Sequence, residues 1–270
     1  MRWSDTIVAP AQAGAAIDIA RGLQRPPPAR GRRALLALTL LLSPTAAVQA
    51  QSLACVAPDR TPVPRLERPA RGEPVRKPPT TGYLLSMSWS PQHCAGARNP
   101  KDARDRFQCS GESGRFGWVL HGLWPETDKP AYPQWCRPAK IVPAPVLRRH
   151  MCMTPSAQLL QHEWAKHGTC MSSNPAAYFR AAEILFRAVR FPDMKALSGH
   201  VRTAGDVRRA FAKVNRGIDE RMIAVATDRG DWLTEVRLCL GPRMRPQACK
   251  PFQRGIADAR AVRVRPMPGG

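Results

Sequence analysis

The sequence predicts an α+β fold: a central, mainly antiparallel sheet flanked by helices, in one disulfide-stapled domain. Three observations carry this. Strand-like segments come first, helical ones next and strand-like ones again at the end, an order that suits an antiparallel sheet with segregated helices. The chain has eight cysteines and no C-x-x-C pair, which favours disulfides over a zinc ribbon or a redox motif. With 270 residues, 43% of them hydrophobic, it can bury a core of its own.

The elements follow in chain order. Arg30, Arg32 and Arg33 precede an apolar stretch from Ala34 to Leu42, and small residues then lead to Val48-Gln49-Ala50. A basic flank, a short apolar run and a small-residue end read as a secretory signal within residues 1–50, with cleavage after Ala50 and a mature product outside the cytoplasm, secreted or periplasmic. Residues 51–81 read as a Pro-rich extended arm, because Pro58, Pro62, Pro64, Pro69, Pro74, Pro78 and Pro79 remove backbone donors and fix φ.

A catalytic-size body is expected over residues 82–250. Tyr83, Leu85, Met87 and Trp89 alternate with Leu84, Ser86, Ser88 and Ser90, which is strand periodicity. Phe116 to Leu120 reads as a second strand. Asn174-Pro175 is a helix start, followed by Tyr178, Ala182, Leu185, Phe186 and Val189 at helical spacing. Thr203 to Val214 is a second amphipathic helix with Asp206 in its first turn. Met222 to Ala226 and Thr234 to Leu240 read as strands, the latter with Val236, Leu238 and Leu240 on one face. Residues 251–270 read as a loose basic tail. No apolar run approaches the roughly 18–20 residues of a membrane span, and a monomer is the default expectation.

Charge narrows the partner. Lys and Arg number 42 and Asp and Glu 20, a formal net charge of +22. Without residues 1–50 the balance is 36 to 18, or +18. An excess of this size points to a polyanion.

Two segments concentrate chemistry: His121-Gly122-Leu123-Trp124-Pro125, at the end of the second strand, and His162-Glu163-Trp164-Ala165-Lys166-His167-Gly168-Thr169-Cys170. Drawn as an α-helix at about 100° per residue, His162, Glu163, Lys166 and His167 fall at about 0°, 100°, 40° and 140°, on one side. Gly168 then lets the helix end. A His-Glu-x-x-His zinc site would need a second imidazole where Lys166 stands, and an ammonium there repels a metal, so neither metal nor cofactor is expected. Two imidazoles can instead divide the work of base and acid at one mildly acidic pH, with Lys166 neutralising phosphate charge. That set fits RNA cleavage, because the ribose 2′-hydroxyl supplies the nucleophile.

The two segments, in this order and about forty residues apart, resemble the two active-site signatures of the ribonuclease T2 family of secreted, metal-independent ribonucleases. The resemblance extends more weakly from about Gly82 to Cys249. It implies that His121 and His167 are the acid–base pair, with His167 favoured as base and His121 as acid. It implies that His162 contacts phosphate and that Glu163 and Lys166 stabilise the transition state. Trp124 would stack on a nucleobase or ribose, with Tyr132 as the other wall of that base site and Glu126 beside it. Leu159 and Leu160 stand where many members have an aromatic residue. The resemblance also implies a Cys136–Cys170 disulfide. Cys94–Cys109 and Cys239–Cys249 are natural local pairs, which leaves Cys55–Cys152 among roughly a hundred formal pairings.

His93, His150 and His200 read as surface or structural residues, Trp89, Trp118 and Trp164 as core, and Arg202, Arg208, Arg209, Arg243 and Arg245 as basic surface. The sequence thus predicts an endoribonuclease cleaving single-stranded RNA through 2′,3′-cyclic phosphates. The competing reading is a catalytically idle basic protein that binds nucleic acid, which charge alone permits.

Overall fold

A computed structural model describes residues 52–53, 55–97 and 105–268. The signal segment read over residues 1–50 lies outside them. The described strands are β1 (Ser52–Leu53), β2 (Gly82–Trp89), β3 (Arg115–Phe116), β4 (Trp118–Glu126), β5 (Arg202–Thr203), β6 (Ile223–Thr227), β7 (Leu233–Leu240) and β8 (Ala261–Val262). Four of them form the central sheet in the order β4-β2-β7-β6, antiparallel throughout. β1 pairs with β3 and β5 with β8 in two small ribbons. The mixed helix and sheet architecture matches the expected fold class, and all four expected disulfides are present.

The periodicities explain which face is which. Leu85, Met87 and Trp89 of β2 are buried with Val236, Leu238 and Leu240 of β7 in the main core. The opposite face of β2 carries Ser86 and Ser88. Small hydroxyl residues on the middle of a sheet leave room above it, and the site is built there.

The helices are α1 (Ser90–Gly96), α2 (Arg106–Cys109), α3 (Ala144–His150), α4 (Ala157–Glu163), α5 (Thr169–Met171), α6 (Pro175–Ala188), α7 (Met194–Ser198) and α8 (Ala204–Val214). α6 begins as expected: Asn174 accepts from the Ala176 N–H and proline fills the first helical position. α8 is closed at its start by a reciprocal Thr203–Asp206 capping box.

Four expectations change. The second strand does not stop at Leu120; β4 runs on to Glu126, because Leu84 and Leu85 of β2 pair with Trp124 and Leu123. The second signature is not one α-helix: α4 ends at Glu163, a π-turn spans Trp164–Gly168, and α5 continues past Gly168. Residues 251–268 are no loose tail, since β8 pairs with β5, Val262 and Val264 are buried, and the Trp89 indole donates to the Arg265 carbonyl. Arg208 is not surface: it is fully buried and donates to the carbonyls of Ile223, Arg254 and Ile256 while facing Asp258. An arginine on an amphipathic helix looks like a solvated cation until the last residues of the chain wrap around it. Among the described residues no helix is long and apolar enough to cross a membrane.

Candidate active site

His121 sits at a β-bulge. The register of β2 against β4 passes from Ser86 opposite Gly122 to Met87 opposite Leu120, so His121 is the extra residue. A bulge re-aims a side chain, and here the imidazole extends across the serine face of β2 to β7. Its Nδ1 donates to Glu235 Oε2 at 2.7 Å, and its Nε2 lies 3.6 Å from Glu163 Oε1. Glu235 is also paired with Arg237, two residues along the same face. A third of the His121 side chain remains exposed, and it borders a cleft of about 1090 Å³ lined by Ser88, Gln92, Thr234, Glu235 and Arg237.

The second signature is shaped by its π-turn. The Thr169 N–H reaches back to the Trp164 carbonyl, and the Thr169 hydroxyl donates to the Ala165 carbonyl at 2.9 Å. The Lys166 carbonyl accepts from the Trp135 N–H at 2.8 Å. The carbonyls released by the wider turn are thus re-satisfied by residues within and beside the motif. Gly168 is required for packing: a Cβ there would stand 2.5 Å from the Trp164 ring and 2.9 Å from that of Tyr178. Trp135, at φ 57°, is a bulky residue in the left-handed region. It is held there between its bond to Lys166 and the adjacent Cys136–Cys170 disulfide, which ties this loop to the turn.

Glu163 joins the two signatures. Its Oε2 accepts from the Trp124 indole N–H at 2.8 Å. It lies so close over Gly122 that a Cβ at that position would come within 1.9 Å of Oε2. Glycine in His-Gly-Leu-Trp is therefore the gap through which a carboxyl from the helix reaches the strand. Trp124 stands between the two histidines: the His121 ring meets it edge-on at 5.1 Å and the His167 ring stacks on it at 5.5 Å. Arg237 adds a cation 5.2 Å from its centroid. The indole expected to stack on a base thus also touches His121, His167 and Glu163.

The electrostatics of the two imidazoles diverge. Burial opposes a charge on His121, but the bond to Glu235 and the charges of Glu163 and Glu235 outweigh it and raise its pKa above the usual 6.5. His167 is almost wholly buried, and that burial, with positive charge from Lys166, His162 and His121 opposing its own, holds it well below 6.5. No protein group among the described residues hydrogen-bonds its Nδ1. Burial raises the Glu163 carboxyl to about 7. Glu235 is buried too, yet His121 and Arg237 bring it down to about 2.

The remaining expected residues cluster around this centre, with differences. The Tyr132 ring lies 5.8 Å from His167. Glu126 is buried, accepts from Gln253 at 3.3 Å, and is raised to about 7 by burial. It is bonded to the C-terminal segment through Gln253. Lys166 Nζ is 2.9 Å from Glu73, and His162 Nδ1 is 3.5 Å from Glu67. Leu160 is core, while Leu159 borders a groove of about 460 Å³ with His162 and Glu67. Sequence reading missed Glu235 and Arg237. Their only signal was alternation: they occupy the face of Thr234–Leu240 opposite Val236, Leu238 and Leu240. Among the described residues no group of three or more His, Cys, Asp or Glu is placed to hold a metal ion.

Comparison with known proteins places the family and the fold. The model of the Ribonuclease T2 family matches residues 80–240. A probable ribonuclease of Haemophilus influenzae is 35% identical over 128 residues, covering 44% of this chain and 47% of that protein. A ribonuclease of Aeromonas hydrophila is 44% identical over 88 residues, covering 33% and 36%. The chain thus spans less than half the length of these relatives. Among solved structures, an RNase-related protein from Calystegia sepium superposes with a TM-score of 0.54 at 20% identity, over 70% of this chain and 98% of that one. RNase NT in complex with 5′-AMP gives 0.51 at 20% identity, over 70% and 100%. At such identity these structures speak for the fold.

Proposed function

This chain belongs to the ribonuclease T2 family, and from that premise we propose that it is an endoribonuclease that cleaves single-stranded RNA by transesterification. The observation that carries the reading is the convergence of His121, Glu163 and His167 on one indole, with His121 and His167 biased to opposite protonation states. Neutral His167 takes the proton of the ribose 2′-hydroxyl. The 2′-oxygen attacks the adjacent phosphorus, and cationic His121 delivers a proton to the departing 5′-oxygen, leaving a 2′,3′-cyclic phosphate. Lys166 and His162 face the non-bridging oxygens. Glu163, raised to about 7, is largely neutral in mild acid and can donate to one of those oxygens as charge builds. Glu235 is a positioning residue: it fixes which nitrogen of His121 faces the phosphate and keeps that ring cationic.

The net positive charge of +22 supports a nucleic-acid partner. Trp124 and Tyr132 supply aromatic faces for an unpaired base, and four disulfides support an exported protein. Purified protein incubated with RNA and a chelator is expected to release fragments ending in 2′,3′-cyclic phosphate and to leave DNA uncut. Bound but intact RNA would establish the idle binder instead.

A further inference from the structure

Residues 51–79 of the Pro-rich arm lie outside the residues matched by the family model, and the arm does not stand clear of the body. Cys55 ties its start to Cys152. Arg65 N–H donates to the Gln158 side chain, and Gln158 also meets Glu67. Near its end, Arg76 and Gln134 exchange both backbone hydrogen bonds at 3.0 Å. Between these anchors the arm crosses three groups assigned above to the substrate. The Glu67 carboxylate lies 3.5 Å from His162 Nδ1, the Glu73 carboxylate 2.9 Å from Lys166 Nζ, and the Arg76 guanidinium 5.7 Å from the Tyr132 centroid.

Those contacts share one logic. The imidazole and the ammonium meant for phosphate oxygens carry carboxylates, and the ring meant for a base carries a guanidinium. Both carboxylates come from a stretch rich in arginine, where acidic residues are the minority: residues 65–76 hold Arg65, Arg68, Arg71 and Arg76 but only Glu67 and Glu73. The Glu73 side chain is further held by the Ala70 N–H at 3.2 Å, closing a local turn that presents it to Lys166.

We propose that residues 65–76 are a tethered strap that competes with RNA, seating Glu67 and Glu73 on His162 and Lys166 in place of substrate phosphates and laying Arg76 over Tyr132. This rests on the ribonuclease reading for the identity of the competitor. A tethered anion acts at high effective concentration, so even weak carboxylate contacts hold off a free ligand. The strap has no regular secondary structure and is held at its two ends, so lifting its middle leaves the central sheet intact.

The experiment compares the full chain with Glu67→Gln, Glu73→Gln and the double variant, using a single-stranded deoxyoligonucleotide as a probe that cannot be cleaved. The double variant is expected to bind about five- to twentyfold tighter. Burial holds the His162 imidazole below its usual 6.5, so the cation freed is Lys166; it contributes about 0.7 to the slope of log K against log[salt], and that slope should steepen by about 0.7. The single variants should fall between and guard against a misfolded double variant. In the unaltered chain, amide exchange at residues 65–76 should quicken when the probe binds. Unchanged or weaker binding, an unchanged slope, or slowed exchange would overturn the strap and make the two glutamates supports of the site. RNA cleavage measured in parallel separates the two claims: cleavage with no gain in binding defeats the strap alone, whereas tighter binding without cleavage in any variant defeats the ribonuclease reading alone.

Discussion

His121 and His167 are one side chain in two opposite surroundings. His121 rises from a bulge at the sheet, a third exposed, with a carboxyl near each ring nitrogen. His167 is packed inside a π-turn against Trp124 and Tyr132, with positive charge nearby and no carboxylate among the described residues bonded to it. A carboxylate partner favours imidazolium, and burial among cations favours imidazole. The difference teaches how a fold can bias identical residues to opposite protonation states, as the proposed acid and base require: the sheet supplies counter-charge, and the helix supplies desolvation.

The strongest test of that contrast uses two substrates. His167→Ala should lower kcat/KM by about 10²–10⁴-fold on both RNA and a ribonucleoside 3′-nitrophenyl phosphate, because both need the base. His121→Ala should lose a similar factor on RNA but recover much of it on the nitrophenyl ester, whose leaving group needs no proton. Equal losses on both substrates would erase the assignment of acid and base.

Next in size is Gly122→Ala. The new methyl must displace the Glu163 carboxyl, and overpacking of this kind costs about 1–3 kcal/mol. A lower Tm together with lost activity is expected; an unaltered Tm would show that the carboxyl has room to move.

Glu235→Gln sharpens the comparison from the other side. Without the counter-charge the His121 pKa should fall by about one unit. The acid is active only while protonated, so rate is present below its pKa and lost as pH rises through it. The alkaline limb should therefore move to lower pH, with about tenfold less activity near neutrality. The acid limb belongs to His167, well below 6.5, and should stay in place. A uniform loss at every pH would reduce Glu235 to a structural role.

The smallest effect on chemistry is expected from breaking Cys136–Cys170 by Cys136→Ser with Cys170→Ser. The loop it closes spans 34 residues, worth about 3–4 kcal/mol of stability. Thermal unfolding should report that loss, while the His121 limb of the pH profile remains unchanged and the His167 limb shifts toward 6.5 as the turn loosens.

Much of the fold was legible because short-range physics wrote it. Asn174-Pro175 and Thr203–Asp206 are helix starts by capping chemistry alone, and the alternation from Tyr83 to Trp89 is a strand by period. The candidate catalytic groups of the two signatures were legible for the same reason, since imidazoles, a carboxylate and an ammonium crowd into a few residues. Other features were illegible because they belong to pairings between distant segments. The bulge that turns His121 exists only in the register of β4 against β2. Glu235 meets His121 across 114 residues of chain, and nothing in Thr234-Glu235-Val236-Arg237 marks it as more than the polar side of a strand. The arm read as a spacer because prolines describe its stiffness but not what it lies against.

The amino-acid sequence by itself determined the two capped helices, the main strands, the disulfide-stapled α+β class and the residue kinds proposed for phosphodiester chemistry, because capping, periodicity and side-chain chemistry act within a few residues. Which imidazole is held charged, which carboxyl is driven toward neutrality and which groups the arm covers were decided only by the tertiary structure. Those properties depend on burial and on charges a few ångströms away in space, and folding sets both.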